Sequence, residues 1–494
     1  MSRYILGLDQ STQGTKALLF DEKGCLVMRR DKAHRQLISP EGWISHDPEE
    51  IYKNTIEVLK AVIEDSGIDK DHVAALGISN QRETSLAWER STGRPVAMAV
   101  VWQCSRAEEI CRQLEKDSQI IKGKTGLALS PYFPAAKYAW ILRNFKEGEK
   151  LAKEGNLCLG TMDSFLVYRL TKGQVFQTDY SNASRTQLFD LKTCKFDPLL
   201  CGIFGIDLRC LPEIEDSDGD FGLTSLEGFL SKPIPVRAVL GDSHGALFGQ
   251  ACLEKGMTKA TYGTGSSIMM NVGEKPVFSK NGVVSSVGFK INHRLTYVLE
   301  GNLNYTGAVI TWLKKDLGLI AAEQETEIMA KEANPEDRTY LVPAFSGLGA
   351  PYWASNARAA ILGMGRTTGR NELARAALSC IACQITDVVK AMEKDGNMSL
   401  EELRVDGGPT KNKYLMQLQC DLLNRSVKVP AQEELSGMGA AYAAGLSVGL
   451  YDERIFHRTQ RTTYRPRMSE EERTRLYEGW KQAVDCVIRN GGQS

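Results

Sequence analysis

The chain has 494 residues, too many for one compact hydrophobic core, and this length predicts two or three domains. Its 42% hydrophobic and 25% charged residues are typical of a globular protein in water. The 61 basic and 61 acidic residues cancel, so no excess charge points to a nucleic acid or membrane partner. We find no apolar run long enough to span a membrane and no signal peptide before YILGLD, and we expect a cytoplasmic protein.

Strands and helices alternate along the first half of the chain. YILGLDQSTQGTKALLF (4–20) predicts two apolar strands around a polar turn. HDPEEIYKNTIEVLKAVIEDSG (46–67) predicts a helix, with Asp47 as its N-cap and Pro48 at its first position. VAALGISNQRETSLAWE (73–89) predicts a strand, a polar turn and a second strand. This alternation is typical of an α/β fold.

The second half begins in a similar way. KATYGTGSSIMMNVG (259–273) repeats the strand–turn–strand pattern, and a helix is predicted over 371–394. LRVDGGPTKNKYLMQLQCDLL (403–423) predicts a strand whose glycine turn leads into a helix, and residues 468–490 predict a closing amphipathic helix. We therefore expect two related α/β domains, 1–250 and 251–494, with their boundary within 245–255 and a cleft between them.

The twelve cysteines lack the spacing of a metal site. Cys380 and Cys383 form a CxxC pair inside ELARAALSCIACQITDVVKAM, which has the apolar rhythm of a buried helix. Core packing is the expectation for this pair, with a redox or metal pair as the alternative. Reduced thiols suit a cytosolic protein.

One acid, Asp242, stands among small residues in GDSHGALFGQ (241–250), directly after the apolar run IPVRAVL. Such a carboxylate is either a catalytic base, which a substrate hydroxyl can approach closely, or a solvated turn residue. His244 in the same segment either adds a hydrogen-bonding group to a pocket or faces away from it.

Three glycine-containing turns could hold a nucleotide: DQSTQGT (9–15), YGTGSS (262–267) and DGGPTKN (406–412). Small residues let backbone N–H groups approach phosphate oxygens, although each segment could also be an ordinary tight turn. The chain has no Walker A pattern, and YGTGSS lacks the third glycine of a dinucleotide fingerprint. P-loop enzymes and Rossmann dehydrogenases are therefore disfavoured.

Together these turns resemble the two phosphate turns and the adenosine turn of the actin/hexokinase/Hsp70-like ATPases. Over nearly its whole length the chain resembles the FGGY carbohydrate kinases, and among them the glycerol kinases. Segments that carry this resemblance include GISNQRETSLAWE, VWQCSRAEEI, GTMDSFLVYRLT, TDYSNASRTQLFD, VPAFSGLGAPYW and GMGAAYAAGL. The family signatures match at YFPAAKYAWILRN and AAILGMGRTTGRNELARAALS, the second with Ser379 at a usually acidic position. The resemblance implies two actin/ribonuclease-H-like ATPase domains with the active site in the cleft between them.

In such kinases a polyol or sugar hydroxyl attacks the γ-phosphate of Mg-ATP, and one carboxylate accepts the hydroxyl proton. The resemblance implies that Asp242 is this base and that Asp9 holds Mg²⁺ through water, with a structural turn acid as the alternative for Asp9. It implies ATP contacts at Thr12, Gln13, Gly14, Lys16, Thr264, Gly265, Gly307, Thr311, Gly408 and Asn412, although Thr311 replaces a glutamine.

The resemblance also implies that Arg82 and Glu83 of NQRET bind the acceptor hydroxyls, because a guanidinium donates hydrogen bonds and a carboxylate accepts them. Trp102 would supply an apolar wall and Tyr132 a hydroxyl. From the residues alone, Arg82 and Glu83 could equally be a solvated surface pair, and Trp102 and Tyr132 core residues.

The sequence departs from that of the glycerol kinases at two positions that contact the acceptor in those enzymes. Ser243 stands where those enzymes have a glutamine, and Ser267 where they have a phenylalanine. We expect a wider and more polar pocket that admits a four- or five-carbon acceptor such as erythritol, xylulose or ribulose. Because the other predicted acceptor residues are retained, glycerol is the alternative.

Regulation and assembly are expected to follow from the same resemblance. LEGFLSKP (226–233) has few glycines, and Pro233 stands where regulated relatives have an arginine, so we expect no inhibition by fructose 1,6-bisphosphate. A homodimer or homotetramer is implied.

Two other classes of protein are alternatives. The first is a non-catalytic actin-like filament protein or chaperone, which would not need NQRET, SPYF or Asp242. The second is a sugar-sensing regulator. The latter would normally carry a DNA-binding segment, and neither terminus shows the helices or basic charge for one.

Overall fold

The computed structural model describes residues 3–491 and is an α/β structure, as predicted. The strands are β1 (Tyr4–Gln10), β2 (Gly14–Phe20), β3 (Leu26–Ala33), β4 (Leu37–Ile38), β5 (Ile44–His46), β6 (Val73–Asn80), β7 (Ser85–Glu89), β8 (Ala99–Val100), β9 (Leu157–Thr161), β10 (Gln177–Asp179), β11 (Phe189–Asp190), β12 (Lys195–Phe196), β13 (Glu213–Glu215), β14 (Leu223–Thr224), β15 (Ile234–Gly241), β16 (Thr258–Tyr262), β17 (Ser266–Gly273), β18 (Val284–Ile291), β19 (Arg294–Leu303), β20 (Tyr340–Val342), β21 (Ala360–Leu362), β22 (Leu403–Asp406), β23 (Val427–Pro430) and β24 (Arg461–Tyr464).

The α-helices lie between and around these strands. They are α1 (Pro48–Ser66), α2 (Glu108–Gln113), α3 (Ser118–Thr125), α4 (Pro134–Asn144), α5 (Lys146–Lys153), α6 (Met162–Leu170), α7 (Tyr180–Ala183), α8 (Pro198–Phe204), α9 (Asp242–Gly249), α10 (Gly307–Lys315), α11 (Glu325–Glu332), α12 (Arg370–Gly396), α13 (Lys413–Leu423), α14 (Leu435–Ser447) and α15 (Glu470–Gly491). Among the helices of residues 3–491, none combines the length and apolar character needed to cross a bilayer.

Helix α1 shows how local sequence sets these elements. The Asp47 side chain accepts a hydrogen bond from the backbone N–H of Glu49, and Pro48 occupies the first turn, as predicted. Gly67 ends the helix with a φ of 70°, in the left-handed region that favours glycine. The buried face of α1, which includes Ile51 and Leu59, packs into the core beneath the first large sheet.

Six strands form the first large sheet, in the order β14-β15-β6-β1-β2-β3. β1 and β2 form an antiparallel hairpin, while β1, β6 and β15 run parallel. In this register Asp9 pairs with Ser79, and Asn80 pairs with Gly241. The carboxyl ends of the three parallel strands therefore meet at one edge, where α/β sheets place their ligands.

Seven strands form the second large sheet, in the order β18-β19-β17-β16-β22-β23-β24. It repeats the plan of the first sheet, because β16 and β17 form an antiparallel hairpin and β16 runs parallel to β22. Thr261, near the end of β16, pairs with Asp406 at the end of β22. The repeated strand–turn–strand pattern seen in the sequence thus corresponds to two similar sheets.

Helix α14 comes from the second half of the chain and packs on β1, β6 and β15 of the first sheet and on α9. A Cβ atom at Gly77 would lie 2.1 Å from the carbonyl oxygen of Ala440, so only glycine permits this approach. Apolar residues from both halves, including Leu247, Met269 and Val298, share one hydrophobic cluster. This packing fixes the two carboxyl-end edges relative to each other.

All twelve cysteines are free thiols. Cys380 and Cys383 are buried in α12, in the hydrophobic core of the second half. The expectation that this pair serves core packing is confirmed.

Candidate functional site

The first predicted phosphate turn joins β1 to β2 at the edge of the first sheet. The backbone N–H of Ser11 donates to the carbonyl of Gly14 (2.8 Å), which closes the turn around Thr12 and Gln13. Asp9, which is 6% exposed, accepts a hydrogen bond from Ser79 Oγ (3.2 Å). Burial raises the pKa of Asp9 from 3.8 to about 6; Lys16 opposes this shift and the charge of Asp242 adds to it. The pKa of Asp9 therefore depends on the charge of Asp242.

Asp242 is the first residue of α9 and follows β15 directly. Its Oδ1 accepts the backbone N–H of Ser243 (2.6 Å) and lies 3.2 Å from Nε of Arg82. The positive end of a helix favours a carboxylate at this position. A Cβ atom at Gly241 would lie 2.7 Å from Arg82 Cδ and 2.9 Å from His244 Nδ1, so the small residue before Asp242 lets Arg82 reach it. The Asp242 side chain remains 37% exposed.

Arg82 and Glu83 are 5% and 2% exposed, which excludes the reading of a solvated surface pair. They belong to a buried cluster with two residues that the sequence analysis missed, Arg185 and Glu300. Nη1 and Nη2 of Arg82 donate to Oε2 and Oε1 of Glu300 (2.9 and 2.7 Å). Nε of Arg185 donates to Oε1 of Glu83 (2.6 Å), and its Nη1 lies 2.9 Å from Oε2 of Glu300.

Charge pairing sets the ionisation of this cluster. Burial alone would raise the pKa of Glu300, but Arg185 and Arg82 hold it well below its ordinary value. A sequence signal for Glu300 did exist: it is the single charged residue of the mostly apolar strand segment LTYVLEG, where a charge needs a buried partner. Nothing in the sequence identified that partner.

Three segments of the site are held together by Lys137, a further residue that the sequence analysis missed. Its Nζ donates to the carbonyls of Glu83 (3.2 Å), Trp102 (3.1 Å) and Tyr132. Burial lowers the pKa of Lys137 from 10.5 to about 7. Glu83 has a φ of 61°, an uncommon conformation for a residue other than glycine, and such strain concentrates at functional sites.

The rings of Trp102 and Tyr132 meet edge to face at 5.5 Å. Indole Nε1 of Trp102 donates to Oγ1 of Thr12 (2.9 Å), so the predicted acceptor wall contacts the first phosphate turn. Burial raises the pKa of Tyr132 well above its ordinary value, and the charge of Glu83 adds to the increase. These two aromatic residues therefore belong to the same site as Arg82 and Glu83.

The second sheet contributes the opposite side of the site. Ser267 on β17 pairs with Asn302 on β19, and the Ser267 Oγ accepts from Nζ of the buried Lys259 (3.4 Å). Asn302 Nδ2 donates to Oε1 of Glu300 (3.0 Å). His244 is fully buried, and its ring nitrogens have no hydrogen-bond partner within the part of the chain that the structure describes. Burial lowers its pKa well below the ordinary value, so His244 is neutral.

A cavity of about 440 Å³ lies in the second half of the chain. Five residues predicted to contact ATP line it: Thr264, Gly307, Thr311, Gly408 and Asn412. Apolar side chains, including Ile310 and Leu378, form other parts of the wall. This mixture suits a purine ring and its ribose. Asn412 also caps α13 by accepting from Leu415 N (2.9 Å).

The other predicted ATP residues lie elsewhere. Thr12, Gln13 and Gly14 form the first turn, and Gly265 packs against β19, where a Cβ would lie 2.2 Å from the Leu303 carbonyl oxygen. Lys16 donates to Glu434 (2.8 Å) and is 3.8 Å from Asp9. Within residues 3–491, no three His, Cys, Asp or Glu side chains are grouped to hold a metal ion.

Comparison with known proteins shows similarity along most of the chain. The N-terminal domain model of the FGGY family of carbohydrate kinases matches residues 4–249, and its C-terminal domain model matches residues 258–448. Glycerol kinase 1 of Thermotoga maritima is 47% identical over 98% of this chain and 99% of that protein. Glycerol kinase of Plasmodium falciparum, solved with ADP, superposes with a TM-score of 0.92 at 35% identity and 98% coverage of both chains. A xylulose kinase from Lactobacillus acidophilus, at 22% identity and a TM-score of 0.88 over 99% of this chain and 98% of that one, shares the fold.

Proposed function

Because the chain belongs to the FGGY family of carbohydrate kinases, we propose that Asp242 is the general base of its phosphoryl transfer to a small polyol or ketose. The chain is a phosphotransferase with an alcohol group as acceptor. The observation that carries the assignment of Asp242 is its position: a partly exposed carboxylate beside a buried Arg82, at the edge where Asp9 also lies. A carboxylate at this point can accept the proton of an attacking hydroxyl.

On the acceptor side, Arg82 and Glu83 would bind the hydroxyl groups that do not react. Arg185 and Glu300 hold both side chains in place, so little conformational entropy is lost when the acceptor binds. Trp102 and Tyr132 would pack against the carbon chain. The acceptor hydroxyl would then lie near Asp242, facing the phosphate turns.

On the donor side, adenosine would occupy the cavity lined by Gly408 and Asn412, and Thr264 would approach the terminal phosphates. Asp9 fits a role in holding Mg²⁺, because burial and, to a smaller extent, the charge of Asp242 destabilise its carboxylate, and a divalent cation would offset both charges. When bound, Mg²⁺ would neutralise the charge that develops on the β- and γ-phosphates. Lys16, which lies 3.8 Å from Asp9, would help to balance the same charge.

The test of this proposal is Asp242→Asn. Loss of a general base is expected to lower kcat by roughly 10² to 10⁴ while the Kd for ATP stays unchanged. Asp220→Asn is the control, since Asp220 is an exposed acid 3.5 Å from Arg237. Near-normal turnover of Asp242→Asn would remove Asp242 from this role.

The acceptor is the second question. Glycerol is supported by the name of the Thermotoga maritima relative and by two sets of contacts. Arg82 lies beside Asp242, and Lys137 joins Glu83, Trp102 and Tyr132. A four- or five-carbon polyol or ketose is supported by the small side chains of Ser243 and Ser267. The amide of Asn302 beside Ser267 would bind an additional hydroxyl.

An ATP-to-ADP coupled assay across glycerol, dihydroxyacetone, erythritol, the pentitols and the pentuloses decides between these acceptors. A clear preference for glycerol would mean that the two serines are tolerated in a glycerol pocket. A preference for a longer acceptor would mean that they set the specificity.

We further propose that the protein is a cytoplasmic homodimer or homotetramer. Its twelve free thiols support a reducing compartment.

A further inference from the structure

Glu300 connects the two sheets at the site. It is fully buried on β19, and Met269 on β17 is its cross-strand partner. The second phosphate turn, residues 263–265, leads directly into β17. It is also bonded to the segment that follows β19, because the N–H of Thr306 donates to the carbonyl of Thr264 (3.0 Å). The position of Glu300 is therefore fixed relative to the phosphate turn by sheet hydrogen bonds.

The cations around Glu300 come from the other half of the chain. Arg82 follows β6 and Arg185 follows α7, and both contact the carboxylate within 2.9 Å. Oε1 accepts from Arg82 and from Asn302, while Oε2 accepts from Arg82 and lies 2.9 Å from Nη1 of Arg185. Glu300 thus fixes the acceptor residues of the first half relative to the phosphate turn of the second half.

The orientation of Arg82 follows from this contact. A guanidinium is planar and has its donors in a fixed arrangement. With Nη1 and Nη2 both bound to Glu300, Nε lies beside Asp242, 3.2 Å from its Oδ1. A shift of Glu300 would therefore turn Arg82 and move both the bound acceptor and the base.

We propose that Glu300 is a positioning residue for phosphoryl transfer, which orients Arg82 and Asp242 relative to the phosphate turn without contacting either substrate. This inference rests on the proposed roles of Arg82 and Asp242. Phosphoryl transfer depends mostly on placing donor and acceptor in line. A misplacement of about 1 Å can lower the rate by about 10²-fold. Glu300 should therefore affect kcat far more than it affects nucleotide affinity.

The test compares Glu300→Gln and Glu300→Asp with the parent protein. The glutamine amide would direct N–H groups at the guanidinium donors, and kcat is expected to fall by about 10²-fold. Aspartate keeps both oxygens but is one methylene shorter, and an intermediate loss of about tenfold is expected. The Kd for ATP, measured by titration calorimetry, should stay within about twofold of the parent in both variants.

Glu402→Gln is the matched control. Glu402 is an acid directly before β22, at the strand end opposite Asp406, with two cationic partners, Arg404 (2.6 Å) and Lys428 (2.5 Å). Its variant should keep the parent kcat. Melting temperature and circular dichroism of all variants give the folded fraction, so that kcat is compared per folded molecule.

The inference is overturned if Glu300→Gln keeps kcat within about threefold of the parent, or if kcat and ATP affinity fall by the same factor. Should Glu300→Gln fail to fold, Glu300→Asp decides: a kcat within about threefold of the parent overturns the inference. Full activity of Asp242→Asn would instead refute the proposed role of the base, whatever the Glu300 variants show. A reduced kcat of the Glu300 variants together with an inactive Asp242→Asn supports both the positioning role of Glu300 and the role of Asp242 as the base.

Discussion

Replacing Asp9 by asparagine is expected to stabilise the metal-free protein at neutral pH and to weaken its stabilisation by magnesium and ADP. Asn has nearly the same shape as Asp, and its amide can still accept the hydrogen bond from Ser79. The variant therefore removes a buried charge with little change in packing.

The magnitude follows from the pKa of Asp9, which burial raises from 3.8 to about 6. Between these values the folded protein binds more protons at Asp9 than the unfolded chain does, so stability is lost as pH rises. Each pKa unit corresponds to 1.36 kcal/mol, and the loss reaches about 3 kcal/mol above pH 6. Asp9→Asn does not titrate and should gain this amount relative to the parent at pH 7.5, and almost nothing near pH 4.

Scanning fluorimetry in EDTA between pH 4 and 8 measures the difference. For a folding unit of 150–250 residues, about 3 kcal/mol corresponds to a Tm increase of roughly 6 to 12 °C at pH 7.5. Addition of magnesium and ADP should raise the Tm of the parent by more than that of Asp9→Asn, whose proposed adenosine cavity is unchanged. Asp31→Asn is the control, because Asp31 is exposed on β3 of the same sheet and pairs only with Arg29 among the described ion pairs.

The reasoning would be refuted if the Tm difference between Asp9→Asn and the parent were the same at pH 4 and pH 7.5. A variant less stable than the parent at pH 7.5 in EDTA would also refute it. If magnesium and ADP raised the Tm of both proteins equally, Asp9 would not be a metal-binding residue, even if the pH dependence were as expected.

Two further predictions concern the acceptor site and regulation. Lys137→Met leaves three carbonyls without their shared donor, of which that of Glu83 is buried. An unsatisfied buried group costs about 1–3 kcal/mol, so we expect a lower Tm. We also expect a KM for the acceptor raised about tenfold or more, with the Kd for ATP unchanged. Steady-state kinetics with titration calorimetry checks this, and an unchanged acceptor KM in folded protein would contradict it. Fructose 1,6-bisphosphate is expected to leave the rate unchanged, because residues 226–233 carry one basic side chain, Lys232; clear inhibition at physiological concentrations would contradict this.

The sequence by itself determined the local structure of this protein. Asp47, Pro48 and Gly67 define one helix through capping and φ preferences that act within a few residues, and the predicted strand–turn–strand segments all formed. Apolar strands ending in small polar turns also identified Asp242 as a candidate and the turn that begins at Asp9 as a possible nucleotide turn, because a strand's carboxyl end is visible in the sequence. The family resemblance supplied the roles of the other candidate residues.

Only the tertiary structure decided how these candidates are held. Arg82 and Glu300 are 218 positions apart, and Lys137 reaches three carbonyls on segments 5 to 54 positions away. No local pattern specifies such pairs, because the partner of a buried charge is set by which strands become neighbours. A charged residue inside an apolar strand indicates that a buried partner must exist. The packing of the two halves against each other determines which residue is the partner. The same packing lets Arg82 join the acceptor site to the second sheet.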